Sequence, residues 1–362
     1  MTRARALSPR RRAAAAGALA ALALWSCKGE RKEEAPAPTA PTPATAVGAP
    51  TAPAPPDAPV APVALPPAPP LPSPPLGLPA PPAGAAITAE QVALGALLFA
   101  EPRLAADGKT TCATCHVPAE GYAGGRVHTA LGRPNLRRAP ALINLAWQRE
   151  LGWDGYFETL EAHLPAHLHG QLGAPLEAAL PALAADPTLL AHFERAFRRP
   201  PDAEAAAVAL AAFVRTRYSG DSRWDREERR DHADPILRAG YALFLGKAQC
   251  SVCHPPPLYT DLGYHRLGLI AAADEGRGRV EPARRGAFKT PTLRDAARRT
   301  SFFHDGSAGT LADAVRWHLD GGVGQGAARA VIDPALAPVA LSEEEVARLL
   351  AFLTALRGAE AP

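Results

Sequence analysis

Two copies of the pattern C-x-x-C-H constrain the fold of this 362-residue chain more than any other feature. The first copy contains Cys112, Cys115 and His116, and the second contains Cys250, Cys253 and His254. Two cysteines at this spacing can bond the two vinyl groups of one haem, and the histidine that follows can ligate its iron. The sequence therefore predicts two covalently bound c-type haems, with both histidines as iron ligands.

The spacing of the two motifs argues against other cysteine chemistry. A zinc ribbon places its cysteine pairs ~15–20 residues apart, whereas 135 residues separate Cys115 from Cys250. The fifth cysteine is Cys27, so two haems use the other four and no disulfide is needed. A net charge of +3 does not indicate a nucleic-acid partner. No apolar run reaches the ~20 residues of a membrane span, which excludes an integral membrane protein.

The N-terminal region indicates export. Residues 1–26 place arginines before an apolar stretch, which is the order of a signal peptide. Their end, Leu24-Trp25-Ser26 followed by Cys27, resembles a lipoprotein signal, and an ordinary cleaved signal peptide is the alternative. We therefore expect a periplasmic protein that touches a membrane, the outer one in preference to the inner one, only through a lipid anchor on Cys27.

Proline composition separates this leader from the folded part. Half of the 40 prolines lie between Pro36 and Pro82. Residues 27–86 are therefore interpreted as a Pro/Ala-rich tether of polyproline II character, with disorder that has no role as the alternative.

Signals for helix starts recur along the rest of the chain. Thr88 with Gln91 and Ser342 with Glu345 form capping boxes, and Asp234 precedes a proline at a first helical position. Similar segments precede both motifs, Gly95 to Phe99 and Gly240 to Phe244, which indicates an internal duplication. Strand signals are few. The sequence predicts a mainly α fold of two cytochrome c-like domains that share an interface, residues 87–232 and 233–358, each with one covalent haem.

Further segments carry a resemblance to a known family. In order along the chain they are Arg138-Ala139-Pro140 with Asn144, Trp153-Asp154-Gly155, Ala211-Ala212-Phe213, Phe288 to Arg294, Phe303-His304-Asp305-Gly306 and Gly321-Gly322. With the two motifs, residues 87–358 resemble the bacterial di-haem cytochrome c peroxidases, whose relatives include protein-modifying enzymes of the MauG and MbnH type. The resemblance covers essentially the whole folded part.

The resemblance implies a division of labour between the haems. The first haem cleaves hydrogen peroxide, and the second receives electrons from a small cytochrome c or cupredoxin. Trp153 takes the place of the tryptophan between the haems, and Arg294 takes that of an arginine near the haem propionates. Two alternatives stay open: peroxide-dependent oxidation of side chains on a partner protein, and a di-haem electron carrier without catalysis. A homodimer is also left open.

The iron ligands depart from the family pattern. Met1 is the only methionine, so the methionine ligand of many family members is excluded. His318 stands at the corresponding position, and helical spacing places it with Leu311, Ala314 and Val315 on an inward face. At the first haem, Arg133 replaces the family's loop histidine, which implies an open sixth site, with His128 as the alternative ligand.

The distal proton donor departs from the family as well. The strict position of the family's glutamate is Gly173, so Glu177 and His163 are the two catalytic candidates, and His167 is a further histidine of the same helical face. A histidine that titrates near neutrality is competent as acid or base. The family also holds a calcium ion through an asparagine, but Arg138 stands there, so calcium stays an open question.

Overall fold

The computed structural model describes residues 63–84, 86–125, 127–229, 234–269, 274–324 and 328–359. Over these ranges the protein is mainly helical with one short antiparallel pair of strands, as predicted. The helices are α1 (Ala89–Phe99), α2 (Cys112–Cys115), α3 (Leu160–Leu172), α4 (Leu180–Ala184), α5 (Pro187–Phe197), α6 (Ala203–Arg215), α7 (Arg223–Glu227), α8 (Pro235–Leu245), α9 (Leu311–Leu319) and α10 (Glu343–Ala355). The strands are β1 (Tyr264–His265) and β2 (Phe288–Lys289).

Several predicted features lie outside the described residues. These are the signal peptide, Cys27, most of the tether and the junction between residues 232 and 233. Within the described ranges, none of the helices combines the length and the apolar character that crossing a membrane requires.

The helices begin where the local capping signals predict. Thr88 accepts a hydrogen bond from the backbone N–H of Gln91, whose side chain accepts one from the N–H of Thr88. Ser342 and Glu345 form the same reciprocal pair at the start of α10. Asp234 caps α8, which has proline at its first position. These caps satisfy N–H groups that the first turn of a helix leaves free.

The first half of the chain builds one apolar core. Helix α1 packs against α6, and α3 and α5 pack on the same pair. Leu94 and Leu98 of α1 are fully buried, and the ring centroids of Phe99 and Phe213 lie 5.1 Å apart. The cluster extends from Leu94 to Val214. Helix α3 contributes to this cluster, and Cys112 of the first C-x-x-C-H motif packs against it, so the two lie side by side.

The second half builds a second core in the same manner. Helix α8 packs against α10, and the rings of Phe244 and Phe352 lie 5.2 Å apart. Gly240 of α8 approaches the backbone of α10, as Gly95 of α1 approaches that of α6. Each half thus places an equivalent helix before its motif, which supports the internal duplication.

The proline-rich segment corrects one prediction. Residues 65–80, here called the strap, lie along the folded body instead of forming a free tether. The carbonyl oxygens of the strap accept hydrogen bonds from Arg195 Nη2 at Leu65 (2.7 Å), from the Asp221 N–H at Leu76 (2.7 Å), from Arg294 Nη2 at Gly77 (2.8 Å) and from Trp147 Nε1 at Ala80 (3.3 Å). Only the Leu78 N–H donates to a carbonyl inside the described strap, at Pro75, so most of its carbonyls are available to donors of the body.

We expect Gly77→Ala to detach the strap. Gly77 has a φ of +84°, which costs a residue with a Cβ ~1–2 kcal/mol. A Cβ at this position would also collide with the carboxylate of Asp225. The free energy of unfolding, measured by chemical denaturation, should fall by ~3 kcal/mol.

The matched control is Gly108→Ala. Gly108 has a φ of +61° but open space around the position of a Cβ. The free energy of unfolding of this variant should fall by only ~1 kcal/mol. Equal losses in the two variants would show that the strap contact does not stabilise the fold.

Candidate functional site

The first C-x-x-C-H motif forms the short helix α2 and the residue after it. His116 is 6% exposed, and its Nδ1 lies 3.1 Å from the carbonyl oxygen of Tyr122 and 3.0 Å from that of Pro140. Two acceptors at Nδ1 require a proton there, which leaves the lone pair on Nε2 for a metal. Cys112 and Cys115 are free thiols. The donor set fits a c-type haem.

The second motif repeats this arrangement. Nδ1 of His254 lies 3.0 Å from the carbonyl oxygen of Tyr259, and Cys250 and Cys253 are free thiols. Burial raises the pKa of the Cys112 and Cys250 thiols to about 12.

His318 lies on α9, close to the second motif. Its Nδ1 is 2.7 Å from the carbonyl oxygen of Ala314, so the Nε2 lone pair is again left free. His318 is near enough to His254 to help lower the pKa of His254, which burial shifts to about 4. The buried Ala314 and Val315 share its helical face, as predicted. The position therefore suits a second ligand on the second haem.

Two histidines of α3 gather next to His116. The ring centroids of His116 and His167 are 6.1 Å apart, and those of His167 and His163 are 5.2 Å apart. His163 stacks on Phe157 at 4.7 Å. Burial lowers the pKa of His163 to about 4 and that of His167 to about 3, so both imidazoles are neutral at pH 7.

The two catalytic candidates from the sequence are placed differently. Glu177 is exposed, while its neighbour Leu176 is 2% exposed and packs in the core. Within the described part of the chain, no hydrogen bond, ion pair or ring contact joins Glu177 to His163. The geometry therefore favours His163 and gives Glu177 no support.

The family's glutamate position is closed by packing. Gly173 ends α3, and a Cβ there would lie 2.6 Å from Cγ of Leu131. A side chain at Gly173 would therefore have to displace the side chain of Leu131.

Trp153 is buried between segments of both halves. It is 6% exposed, and its Nε1 donates to the carbonyl oxygen of Arg138 at 2.9 Å. Its own carbonyl accepts from the N–H of Lys289 at 2.9 Å, and the ring of His304 lies 6.5 Å away. Arg138 is only two residues from Pro140, which holds His116. The indole is therefore tied to the frame of the first motif and to β2.

Arg294 is engaged mainly by protein groups. Its guanidinium binds both carboxylate oxygens of Asp225 at 2.8 and 2.9 Å, with side chains 1% and 2% exposed. Nε donates to Pro257 and Nη2 to Gly77. Four of its five N–H groups are therefore used, and one remains for a propionate. The predicted propionate contact stays a prediction.

Calcium does not fit at the position that the family pattern indicates. Arg138 is 3% exposed, and its Nε donates to the carbonyl oxygen of Phe303 at 2.6 Å. Nη1 donates to the carbonyl oxygen of Ala139 at 3.3 Å, and the guanidinium lies 5.1 Å from the Trp153 ring. Calcium requires six to eight oxygen ligands. Here the guanidinium of Arg138 already binds the carbonyl oxygens of Phe303 and Ala139.

Sequence reasoning missed one charged histidine. Nε2 of His265 lies 2.9 Å from Asp261 and Nδ1 lies 2.7 Å from Asp333. Hydrogen bonds to Asp261, Cys253 and Asp333, led by Asp261, raise the pKa of His265 to about 11. Cys253, Asp261 and His265 lie close enough together to suggest a metal site, but both ring nitrogens of His265 face carboxylates and Cys253 belongs to the second motif. The contact with Asp333 has no local sequence signal, since Asp333 is 68 residues away.

Known proteins with similar sequences and structures point to one family. A profile of the di-haem cytochrome c peroxidase family matches residues 89–233. The methylamine utilization protein MauG of Methylorubrum extorquens is 37% identical over 286 residues, 75% of this chain and 79% of the relative. A cytochrome c peroxidase of Denitromonas iodatirespirans is 32% identical over 329 residues, 78% and 86% of the two chains. The crystal structure of a MauG-like protein associated with microbial copper homeostasis matches with a TM-score of 0.70 and 26% identity, over 79% of this chain and 93% of that one.

The chain belongs to the di-haem cytochrome c peroxidase family. It is an oxidoreductase, and the family carries two c-type haems. The resemblance inferred from the sequence is thereby confirmed, together with the mainly helical fold of two cytochrome c-like domains.

We expect calcium chelation to leave the unfolding temperature of the protein unchanged, because Arg138 supplies the cation. Arg138→Gln should lower the free energy of unfolding by ~2 kcal/mol, since it leaves the carbonyl of Phe303 without its charged donor.

Arg217→Gln is the matched control. Its guanidinium also lies over an aromatic ring, 4.2 Å from that of Phe213, and also donates to a carbonyl, but it is partly exposed. The free energy of unfolding of the Arg217→Gln variant should fall by less than ~1 kcal/mol. A clear fall in the wild-type unfolding temperature on chelation would contradict the assignment.

Proposed function

We propose that each motif binds one haem through two thioether bonds, Cys112 and Cys115 for the first and Cys250 and Cys253 for the second. His116 and His254 are the iron ligands on the motif side, and His318 is the second ligand of the second haem. The observation that carries this proposal is the shared arrangement of free thiols with a histidine whose Nδ1 is bonded to a backbone carbonyl.

The reaction is the reduction of hydrogen peroxide to two molecules of water. It consumes two electrons and two protons, and a small cytochrome c or a cupredoxin supplies the electrons at the second haem. The haems supply the one-electron chemistry and the cleavage of the O–O bond. His163 moves the proton between the peroxide oxygens, since its neutral imidazole in the buried cluster can accept it.

Trp153 links the two haem sites. Its indole packs between the frame of the first motif and β2, and its hydrogen bond to Arg138 fixes the plane of the ring. An aromatic side chain at this place shortens each electron step between haems that do not touch. Arg294 holds the second site through Asp225 and Pro257.

A second candidate function is oxidation of side chains on a partner protein. The 37% identity to a MauG protein favours it, as does His318 where many peroxidases use methionine. Long-lived storage of two oxidising equivalents in the absence of an electron donor would indicate this function, and rapid turnover with a reduced cytochrome c would indicate peroxidase activity.

The site works outside the cytoplasm in this proposal. Residues 1–26 direct export, and Cys27 carries the lipid anchor that holds the protein at a membrane facing the periplasm. Covalent attachment of c-type haem to exported chains is consistent with this location.

We expect Trp153→Phe to slow peroxide turnover with reduced cytochrome c by about tenfold or more, equivalent to ~1.4 kcal/mol of barrier. Phenylalanine is harder to oxidise than tryptophan and lacks the Nε1 donor. Stopped-flow absorption would follow electron transfer from the second haem after peroxide is added.

Trp147→Phe serves as the control for this variant. Trp147 donates to the strap at Ala80, packs on Tyr218 and is partly exposed. Its turnover should match that of the wild type. Equal rates in wild type and Trp153→Phe would remove Trp153 from the electron path.

We expect His318→Met to raise the reduction potential of one haem by on the order of 0.1 V or more, because methionine–histidine ligation raises haem potentials within the ~0.8 V that axial ligands span. A spectroelectrochemical titration of both haems measures this shift. Unchanged potentials for both haems would show that His318 does not ligate iron.

A further inference from the structure

The first haem site contains a second imidazole, that of His167, next to His116. We propose that His167 is the sixth ligand of the first haem iron in the resting protein, so that this haem is bis-histidine and closed. This inference rests on the proposed function, since it requires a haem on the first motif.

The distance between the two rings fits ligation of one iron. Imidazoles on opposite sides of a metal place their centroids ~6 Å apart, because each metal–nitrogen bond is ~2 Å long and each nitrogen lies ~1 Å from its ring centroid. The centroids of His116 and His167 are 6.1 Å apart with an interplanar angle of 51°. A peroxide molecule between the iron and a distal base would require a wider gap.

The hydrogen bonds of the two rings point to the same role. Nδ1 of His116 is held by two carbonyls, so Nε2 is its metal-binding nitrogen. In the part of the chain that the structure describes, neither nitrogen of His167 makes a hydrogen bond. His167 is only partly buried, so its ring nitrogens are not committed to any protein partner and one of them is available to an iron.

The loop that supplies this ligand in the family does not provide a rival. His128 and Arg133 are both exposed, and the loop between them is tied to α3, where Ala130 N–H donates to the carbonyl of Gln171 at 2.8 Å. The open site implied by Arg133 is therefore filled from α3 instead. A helix has taken over the position that a loop holds in relatives.

The helix also has a weak point next to the ligand. Pro165 lies inside α3, two residues before His167, so the hydrogen bond to the carbonyl of Glu161 is missing. The turn that carries His167 can open at lower cost than an intact one. His167 therefore keeps peroxide out until this turn moves, while His163 stays on Phe157 as the proton-transfer group.

Electron paramagnetic resonance of the ferric, haem-loaded full chain tests the ligand directly. The wild type should show two low-spin haems and no high-spin signal. His167→Ala should convert one haem per chain to high spin. His169→Ala is the matched control, because it removes an exposed histidine of the same helix, and it should keep both low-spin signals.

A second variant covers loss of haem in the alanine protein. His167→Met should give the near-infrared charge-transfer band of a histidine–methionine haem, which is assignable because the chain has no methionine after Met1. A high-spin haem in the wild type, or two low-spin haems in His167→Ala, would overturn the proposal. Covalent haem content, two per chain, is measured separately, and its absence would count against the proposed function instead.

Discussion

The hydrogen bond from Nδ1 of a motif histidine to a backbone carbonyl is the contact on which both sites depend. At His116 two carbonyls, from Tyr122 and Pro140, hold the ring, and at His254 one carbonyl from Tyr259 does so. Such a bond fixes both the tautomer and the plane of the ring, so that only Nε2 can meet a metal. His318 uses the same device on α9.

Buried arginines join the parts of the molecule that carry these histidines. Arg138 links the segment before Pro140 to Phe303, and it covers the face of Trp153. Arg294 links α7, the loop after the second motif and the strap through Asp225, Pro257 and Gly77. Removing one partner of a buried pair such as Arg294 and Asp225 typically costs ~3–5 kcal/mol. The junctions therefore use fixed side-chain cations.

Features governed by local sequence were predictable. Helix starts at Thr88, Asp234 and Ser342 depend on residues within three positions, and the structure has all three. The inward position of His318 followed from helical spacing. Each haem motif is also recognisable within five consecutive residues, so its presence could be predicted from the sequence alone.

Features governed by distant contacts were not predictable. The strap was interpreted as a free tether because its contact with the body, between Gly77 and Arg294, joins residues 217 positions apart in the sequence. Glu177 matched the family pattern only after an insertion, and the structure shows that Leu131 closes the original glutamate position at Gly173. The order of His163 and His167 around His116 could not be deduced from a shared helical face, since spacing does not tell which ring points at the partner.

The central claim is that two haems divide the reaction, with electrons entering at the second. The most direct measurement is peroxide turnover with reduced cytochrome c in two single-haem proteins, Cys112→Ser/Cys115→Ser and Cys250→Ser/Cys253→Ser, with covalent haem counted in each. We predict two haems and turnover in the wild type, and one haem and no turnover in either variant. Full turnover in the protein that lacks the second haem would contradict it.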